Sequence, residues 1–313
     1  MDGGDPGIHT LAQPPWGEAV DGPVRRFGYR SLSRMDHHQK SYESWESASA
    51  GWARRGDFIF QSTRPVSAWM VNKLGGRPGE TILELAAGPG DTGFMAAGDL
   101  GPEGRLIASD FSPGMLSIAR DRAAKVGLNN VEFRVLDAQA MDLPDGSVDG
   151  VLCRFGYMLM IDQAAAFSET RRVLKNGGRV VFGVWGQAER NPWLSLPGMI
   201  AVMKGLIEMP DPDAPGGVFS LSQPEVIETT LKAAGFEAVQ VEEVPVAFRY
   251  GSEEEQFSFL VEASGFLGQA LRAAEPGPLE EFRTELAAQF GAFKVGEGYE
   301  VPGIALGARA AVP

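Results

Sequence analysis

The fold is decided by residues 82–93, which read Ile82-Leu83-Glu84-Leu85-Ala86-Ala87-Gly88-Pro89-Gly90-Asp91-Thr92-Gly93. A short apolar strand runs here into glycines and then into a predicted helix. Gly88 and Gly90 allow the backbone to turn tightly and to approach a ligand closely. The first turn of the helix behind them leaves backbone N–H groups free to bind that ligand. The segment therefore predicts a ligand-binding loop between a strand and a helix.

Strand and helix patterns alternate around this loop. Strands are predicted at 81–86, 106–109, 131–136, 148–153, 179–185, 238–246 and 299–310, and helices at 57–74, 92–99, 113–125, 163–174, 196–207 and 223–234. Ser112 and Pro113 suit the cap and the first position of a helix, whereas Asn176-Gly177-Gly178 is typical of a helix end. The alternation predicts an α/β fold, a doubly wound sheet with helices on both faces.

The remaining sequence divides the chain into further parts. Residues 1–35 are rich in Gly and Pro and predict a loose N-terminal extension. Residues 36–75 predict a helical lid, and residues 76–313 predict the main domain. This domain carries two predicted helical insertions, at 186–220 and 252–290.

Composition limits the class of protein. The 313 residues are 44% hydrophobic and 22% charged, which suits one large α/β domain with insertions or two small domains. No apolar run approaches the roughly 20 residues that span a bilayer, and the N-terminus shows no secretory signal. The single cysteine, Cys153, excludes an intrachain disulfide framework and a cysteine-rich zinc site. We therefore expect a cytoplasmic protein.

The net charge and the few histidines limit the kinds of partner and ligand that we expect. The formal net charge is −13 and no block of Lys or Arg exceeds two residues, which disfavours a nucleic-acid partner. His37 and His38 are adjacent and point in different directions, so we expect no metal site. They are interpreted as the polar start of a helix, with a general-base role as the alternative. We expect a small-molecule substrate, and the sequence leaves a homodimer open.

The spacing of the glycine loop leaves two ligand classes open. Gly88, Gly90 and Gly93 match G-x-G-x-x-G, and Asp110 lies 20 residues beyond Gly90, as in a dinucleotide-binding fold. Charge separates the two, because Glu84 and the acid after the second glycine would meet the ligand with no Lys or Arg nearby. Charges about 4 Å apart interact by roughly 4 kcal/mol at an effective dielectric near 20. This favours S-adenosylmethionine, which carries a sulfonium and an ammonium, over the diphosphate of NAD.

Four later segments follow the glycine loop in a recognisable order. They read ASDFSPGML at 108–116, LDAQAMDLP at 136–144, SVDGVLCR at 147–154 and RVLKNGGRV at 172–180. With residues 82–93 they resemble the motifs of class I S-adenosylmethionine-dependent methyltransferases, especially the ubiquinone/menaquinone-biosynthesis type, although Asn176 stands where proline is usual. The resemblance covers roughly residues 80–186. It implies a Rossmann-like, mostly parallel seven-stranded sheet with an antiparallel last strand.

The resemblance also implies roles for individual residues. Asp110 would bind the ribose, and Asp137 would bind the adenine amine beside the backbone N–H of Ala138. The predicted cofactor-binding residues are Tyr42, Trp52, Glu84, Gly88, Gly90, Asp110, Phe111, Met115, Asp137, Ala138 and Arg154. An aromatic acceptor pocket beyond the strand ends is predicted from Tyr157, Trp185 and Trp193. The alternatives are plainer: Asp110 as a helix cap, Arg154 as a surface charge, and the aromatic residues as core packing.

These residues predict in-line methyl transfer from S-adenosylmethionine to a small molecule. Positioning donor and acceptor can supply roughly 7–11 kcal/mol, and the insertions would exclude water. The sequence names no catalytic base, and Cys153 is expected to be buried rather than nucleophilic. Two alternatives stay open: an NAD-dependent oxidoreductase, although no Tyr-x-x-x-Lys pair follows the loop, and a non-catalytic S-adenosylmethionine-binding protein.

Overall fold

The computed structural model describes residues 34–209 and 216–313, with side chains from residue 38 onward. The predicted extension at 1–35 therefore lies almost wholly outside the described residues, as does the side chain of His37. So does part of the first predicted insertion.

A single sheet forms the centre of the molecule. Its strands are β1 Thr81–Leu85, β2 Arg105–Asp110, β3 Val131–Val135, β4 Val148–Arg154, β5 Leu174–Trp185, β6 Glu237–Tyr250, β7 Lys294–Val295 and β8 Gly298–Ala311. The order is β3-β2-β1-β4-β5-β8-β6, and the two-residue β7 pairs with β8. β1 to β5 pair in parallel, whereas β8 runs antiparallel between β5 and β6. The predicted seven-stranded, mostly parallel sheet with an antiparallel last strand is confirmed, with β7 as a short addition.

The strand order creates the crevice in which a ligand can bind. β1 lies between β2 and β4, so the chain leaves β1 toward one side of the sheet and later returns to β4 on the other. Ligands of open α/β sheets bind at such a reversal, beyond the carboxyl ends of the strands. β1 is buried on both faces, because Ile82, Leu83 and Leu85 are at most 1% exposed. The glycine loop thus leaves a rigid central strand.

Helices cover the sheet and its carboxyl edge. They are α1 Arg34–Leu74, α2 Asp91–Ala97, α3 Pro113–Val126, α4 Gln163–Val173, α5 Pro192–Met203, α6 Pro224–Ala233, α7 Glu253–Ala263, α8 Gly265–Ala273 and α9 Pro276–Phe290. The helix predicted at 57–74 is the C-terminal part of α1. The second insertion contains three helices, α7 to α9. Within the described ranges, no helix has both the length and the apolar character needed to cross a bilayer.

The predicted helix end at Asn176-Gly177-Gly178 is wrong. α4 ends at Val173, and the chain passes directly into β5. Leu174 pairs with Val148, and the next pair joins Arg179 to Gly150, so residues 175–178 bulge out of the ladder. Gly177 has φ 73°, a left-handed conformation that suits glycine in a bulge as well as at a helix end. The pairing of this segment with β4 makes it a strand bulge rather than a helix end.

Candidate functional site

The glycine loop joins β1 to α2 at the centre of the carboxyl edge. Gly88 and Gly90 have φ values of 52° and 88°, so both lie in the left-handed region predicted for a tight loop. A Cβ atom on Gly90 would lie 2.4 Å from the Phe94 ring, so space as well as backbone conformation requires glycine there. The loop therefore brings backbone close to whatever occupies the crevice.

Glu84 lies beneath this loop on β1. Its side chain is buried, and Oε1 accepts a hydrogen bond of 2.8 Å from the backbone N–H of Gly93. Oε2 is also buried and has no hydrogen-bond partner among residues 34–209 and 216–313. Burial raises the pKa of this carboxyl to about 8, against the opposing effect of the Gly93 hydrogen bond. A buried carboxyl with one unused oxygen suits a positively charged ligand.

Asp110 connects the glycine loop to the end of β2. Oδ2 accepts from the Gly88 N–H at 2.9 Å, and Oδ1 accepts from the Ser112 N–H at 2.9 Å. Burial raises the pKa of Asp110, and these two hydrogen bonds oppose that rise. Each carboxylate oxygen has a second lone pair for a ligand hydroxyl. The cap of α3 is Ser112, whose hydroxyl accepts from the Met115 N–H at 3.1 Å.

The expectation that no Arg or Lys lies near the glycine loop is wrong. Asp91 is fully buried, with its carboxylate 2.7 Å from Arg122 Nη2 and 3.1 Å from Arg154 Nη2. Arg122 also donates to the Pro89 carbonyl at 3.2 Å. These arginines come from α3 and the end of β4, far from the loop in sequence. Arg154 is among the predicted cofactor-binding residues, whereas sequence reasoning missed Arg122 and the contact of both arginines with Asp91. Asp91 is neutralised by them, and the preference for a cationic ligand rests on Glu84.

Arg154 is buried rather than a surface charge. Besides Asp91, its guanidinium donates a hydrogen bond to the Thr63 hydroxyl of α1. One turn further along α1, the Ser67 and Thr92 hydroxyls are 2.9 Å apart. α1 is therefore tied to the first turn of α2 through two polar contacts.

The other half of α1 lies over the ends of β2 and β3. The rings of His38 and Tyr42 meet the Phe111 ring edge-on, with centroids 6.2 and 5.8 Å away. His38 Nε2 is 3.0 Å from Asp137 Oδ2, an ion-pair distance. Glu46 accepts from the Ser112 hydroxyl at 2.5 Å. The fold thus brings Tyr42, Phe111 and Asp137 together over the ends of β2 and β3.

Three predicted cofactor residues remain, on α3, after β3 and on α1. Met115 is buried, Ala138 is 9% exposed, and Trp52 is half-buried. The Trp52 indole Nε1 is buried and lacks a hydrogen-bond partner within the part of the chain that the structure describes. Trp52 precedes Thr63 by eleven residues, about three helical turns, so both lie on one face of α1. That face meets the carboxyl edge of the sheet.

Aromatic rings line the next part of that edge. Trp185, the last residue of β5, stacks on Phe155 with centroids 3.9 Å apart. Trp193 of α5 stacks on Phe248 at 3.9 Å and meets Trp185 at 4.8 Å. Sequence reasoning missed Phe155 and Phe248. Phe155 follows Arg154 directly and has φ 59°, unusual for a non-glycine residue, which no sequence pattern indicated.

Tyr157 does not belong to this aromatic group. Its side chain is fully buried, stacks on Phe167 at 4.3 Å, and shares a 2.6 Å hydrogen bond with Thr170 of α4. Its prediction as an acceptor-pocket residue is therefore wrong, because the ring packs against Phe167 and Phe182 and the hydroxyl is bonded to Thr170. Cys153 is fully buried, as expected, and burial raises the pKa of its thiol to about 12.

The sheet order, the glycine loop, Asp110 at the end of β2 and Asp137 after β3 define the fold class of this protein: it has the fold of class I S-adenosylmethionine-dependent methyltransferases. Residues 82–178 match the family described as a methyltransferase domain. The resemblance seen in the sequence motifs is thereby confirmed.

Relatives and solved structures agree with that class. The chain is 32% identical over 155 residues to the ubiquinone/menaquinone biosynthesis C-methyltransferase UbiE of Xanthomonas oryzae, covering 49% of this chain and 61% of that protein. For the UbiE of Pseudomonas savastanoi the identity is 30% over 161 residues, covering 51% and 63%. The chain thus spans less than two thirds of the length of these relatives.

The fold is shared with solved structures of low sequence identity. The YcgJ protein of Bacillus subtilis superimposes with a TM-score of 0.54 at 18% identity, over 79% of this chain and 97% of that one. A putative methyltransferase of Bacillus halodurans gives a TM-score of 0.53 at 20% identity, over 79% and 98%.

Proposed function

We propose that this protein is an enzyme that transfers a methyl group from S-adenosylmethionine to a small-molecule acceptor. The observation that carries the proposal is Glu84, a buried carboxyl with one unused oxygen under the glycine loop. A cationic ligand stabilises the ionised form of such a group, whereas a diphosphate would oppose it. When bound, S-adenosylmethionine supplies a methyl group on a positively charged sulfur, already a good leaving group.

The chain's own residues bind and orient. Asp110 and Asp137 would hold the ribose and the adenine, and the backbone at Gly88 and Gly90 would approach the ligand closely. Tyr42 and Trp52 would cover it from α1. Phe111, Met115 and Ala138 would contact the adenine ring, and Arg154 would line the pocket while holding Asp91. Such positioning is the protein's share of the catalysis.

The acceptor would lie against Trp185 and Trp193. Both are largely buried; Trp185 ends β5 at the carboxyl edge of the sheet, and Trp193 lies on α5, which follows β5. The curated relatives are named for C-methylation in quinone biosynthesis, and a small apolar acceptor is consistent with this aromatic surface. We assign no catalytic base, because Cys153 and Tyr157 are sealed in the core.

We also propose that the protein works in the cytoplasm without a nucleic-acid partner. The support is a single cysteine, suited to a reducing compartment, and a net charge of −13.

The function is tested by two binding titrations and one assay. S-adenosylhomocysteine and NAD are titrated calorimetrically, because Arg122 and Arg154 are residues that a diphosphate could also use. Transfer of tritiated methyl from S-adenosylmethionine is then measured on a panel of aromatic and aliphatic acceptors. Binding of NAD without binding of S-adenosylhomocysteine would overturn the proposal. Binding without turnover on any acceptor would favour a non-catalytic binder.

Asp110→Ala provides the residue-level test. We expect S-adenosylhomocysteine affinity to fall by about 1–3 kcal/mol, through lost charge-assisted hydrogen bonds. Asp121→Ala, which removes an exposed acid from α3, is the matched control and should bind normally. Equal affinity in both variants would remove Asp110 from the site.

A further inference from the structure

The aromatic surface at Trp185 continues beyond the matched methyltransferase segment. Phe248 of β6 lies 6.3 Å from Phe58 of α1, measured between ring centroids. Phe58 in turn lies 5.2 Å from the Tyr250 ring and 5.0 Å from Phe259 of α7. A continuous row of rings therefore runs from the end of β5, beside the proposed cofactor site, to the buried interface of α1, β6 and α7.

Two polar side chains are buried at the far end of this row. Tyr250 and Gln256 are each 2% exposed. The Tyr250 hydroxyl and Gln256 Nε2 have no hydrogen-bond partner in the described portion of the chain. We refer to them as the Tyr250–Gln256 pair. Leaving such groups unsatisfied costs about 1–3 kcal/mol each, so two of them on neighbouring elements, β6 and α7, call for a functional explanation.

The two members of the pair lie at the same buried interface, between α7 and β6. Gln256 precedes Phe259 by three residues, which places both on one side of α7, and that side is buried. The Phe259 ring is 6.0 Å from the Tyr250 ring, so this side of α7 meets Tyr250. Both polar groups therefore lie where aromatic rings form the surrounding surface.

The acidic side chains at the start of α7 indicate which kind of polar ligand group the pair could bind. Glu253, Glu254 and Glu255 occupy the first turn of α7. Burial and the proximity of Glu255 raise the pKa of Tyr250, so its hydroxyl stays a neutral donor. Arg283 pairs with Glu254, so an anionic ligand group would be repelled by Glu253 and Glu255, whereas an uncharged oxygen can accept hydrogen bonds from both members of the pair.

The geometry points to the Tyr250–Gln256 pair as the polar end of the acceptor site. It would bind a flat, apolar acceptor through a neutral carbonyl or hydroxyl oxygen, while the rings from Trp185 to Phe58 hold its hydrocarbon part. This assignment rests on the proposed methyltransferase function. It places a specificity-determining contact on β6 and α7, outside residues 82–178.

The test uses matched probes and the full chain with S-adenosylhomocysteine present. 1-Tetralone and tetralin differ in one carbonyl oxygen, and 1-naphthoate adds a charge. Affinities are measured by quenching of tryptophan fluorescence. We expect the wild type to bind 1-tetralone about fivefold more tightly than tetralin, the effect of one or two hydrogen bonds, and 1-naphthoate more weakly than 1-tetralone.

Substitutions test whether the preference for 1-tetralone over tetralin depends on the Tyr250–Gln256 pair. Tyr250→Phe and Gln256→Leu should each reduce the tetralone preference, and the double variant should abolish it. Both should leave the unfolding temperature unchanged or raise it, because each removes an unsatisfied buried group. Tyr299→Phe is the control: Tyr299 pairs with Tyr250 in the sheet, but its hydroxyl donates to Glu253 at 2.8 Å.

Three results overturn the assignment. They are a wild type that binds neither neutral probe, a double variant that keeps the wild-type preference, and a lowered unfolding temperature with unchanged preference, which would indicate a structural water on the pair. Failure of the proposed function is seen separately. In that case S-adenosylhomocysteine does not bind, while the tetralone preference and its loss in the variants are still measured in its absence.

Discussion

Folding changes the ionisation of Glu84 in a way that affects both stability and ligand binding. Burial raises its pKa from 4.5 to about 8, so in the free protein it is protonated at neutral pH. The folded state thus binds one more proton than the unfolded chain between these values. The free energy of unfolding therefore falls as pH rises from about 4.5 to 8, and this contribution levels off above 8.

This ionisation predicts a pH-dependent affinity for the cofactor. Because a cationic ligand needs the carboxylate, affinity for S-adenosylmethionine should rise between pH 6 and 8, by up to about tenfold per pH unit. Calorimetry at pH 6, 7 and 8 measures the slope. Glu84→Gln should flatten it, whereas Glu80→Gln, an acid before the same strand that pairs with Arg179 at 2.6 Å, should keep it. Parallel slopes in wild type and Glu84→Gln would separate Glu84 from the ligand.

Asp91 gives a second residue-scale prediction, this time about stability. Asp91→Asn leaves Arg122 and Arg154 without their shared carboxylate, and Arg154 is only 8% exposed. We expect a loss of about 3–5 kcal/mol in the free energy of unfolding, because a buried charge is left uncompensated. Asp145→Asn breaks an exposed ion pair with Arg172 and should change it by less than about 1 kcal/mol. Urea denaturation compares the two, and equal losses would contradict a buried network.

At the scale of elements, the loop between β1 and α2 depends on the left-handed glycines. Gly90→Ala introduces a side chain at φ 88° and against the Phe94 ring, so we expect it to destabilise the protein by about 1–3 kcal/mol and to weaken S-adenosylhomocysteine binding. Gly98→Ala is the control, since Gly98 has φ −63° and space for a Cβ. Thermal unfolding and calorimetry on both variants check this. A Gly90→Ala variant as stable as Gly98→Ala would mean that the loop adopts another conformation.

Elements with local signals were predictable from the sequence. The strands at the centre of the sheet are short, mainly apolar runs, and Ser112 with Pro113 marks the start of α3. Where a distant partner decides, the prediction failed. The sequence around Gly177 predicts a helix end, but pairing of β4 with β5 places it in a strand bulge. The position of Tyr157 after β4 predicts a pocket residue, but its hydroxyl is hydrogen-bonded to Thr170. The Asp91–Arg154 contact joins residues 63 positions apart, so periodicity and spacing carry no trace of it.

At the scale of the whole molecule, the two halves of α1 pack against different parts of the protein. Its first half carries His38, Tyr42 and Glu46 over the ends of β2 and β3, as the predicted lid at 36–75 would require. Its second half covers the sheet. There Val66 approaches Gly183 so closely that a Cβ on the glycine would lie 2.7 Å away. A lid role therefore remains a proposal for the first half of the helix.

The second half of α1 can be tested as part of the core. Met70 is fully buried on that half. Met70→Ala should lower the free energy of unfolding by about 2–5 kcal/mol, because it removes buried methylene contacts and leaves a cavity. Met203→Ala, at a methionine that is 58% exposed, should cost less than about 0.5 kcal/mol. Urea denaturation followed by circular dichroism measures both. A Met70→Ala cost as small as that of Met203→Ala would mean that all of α1 separates from the sheet. Residues 36–75 would then act as an independent lid, and the contacts of Thr63 with Arg154 and of Ser67 with Thr92 would be breakable without unfolding.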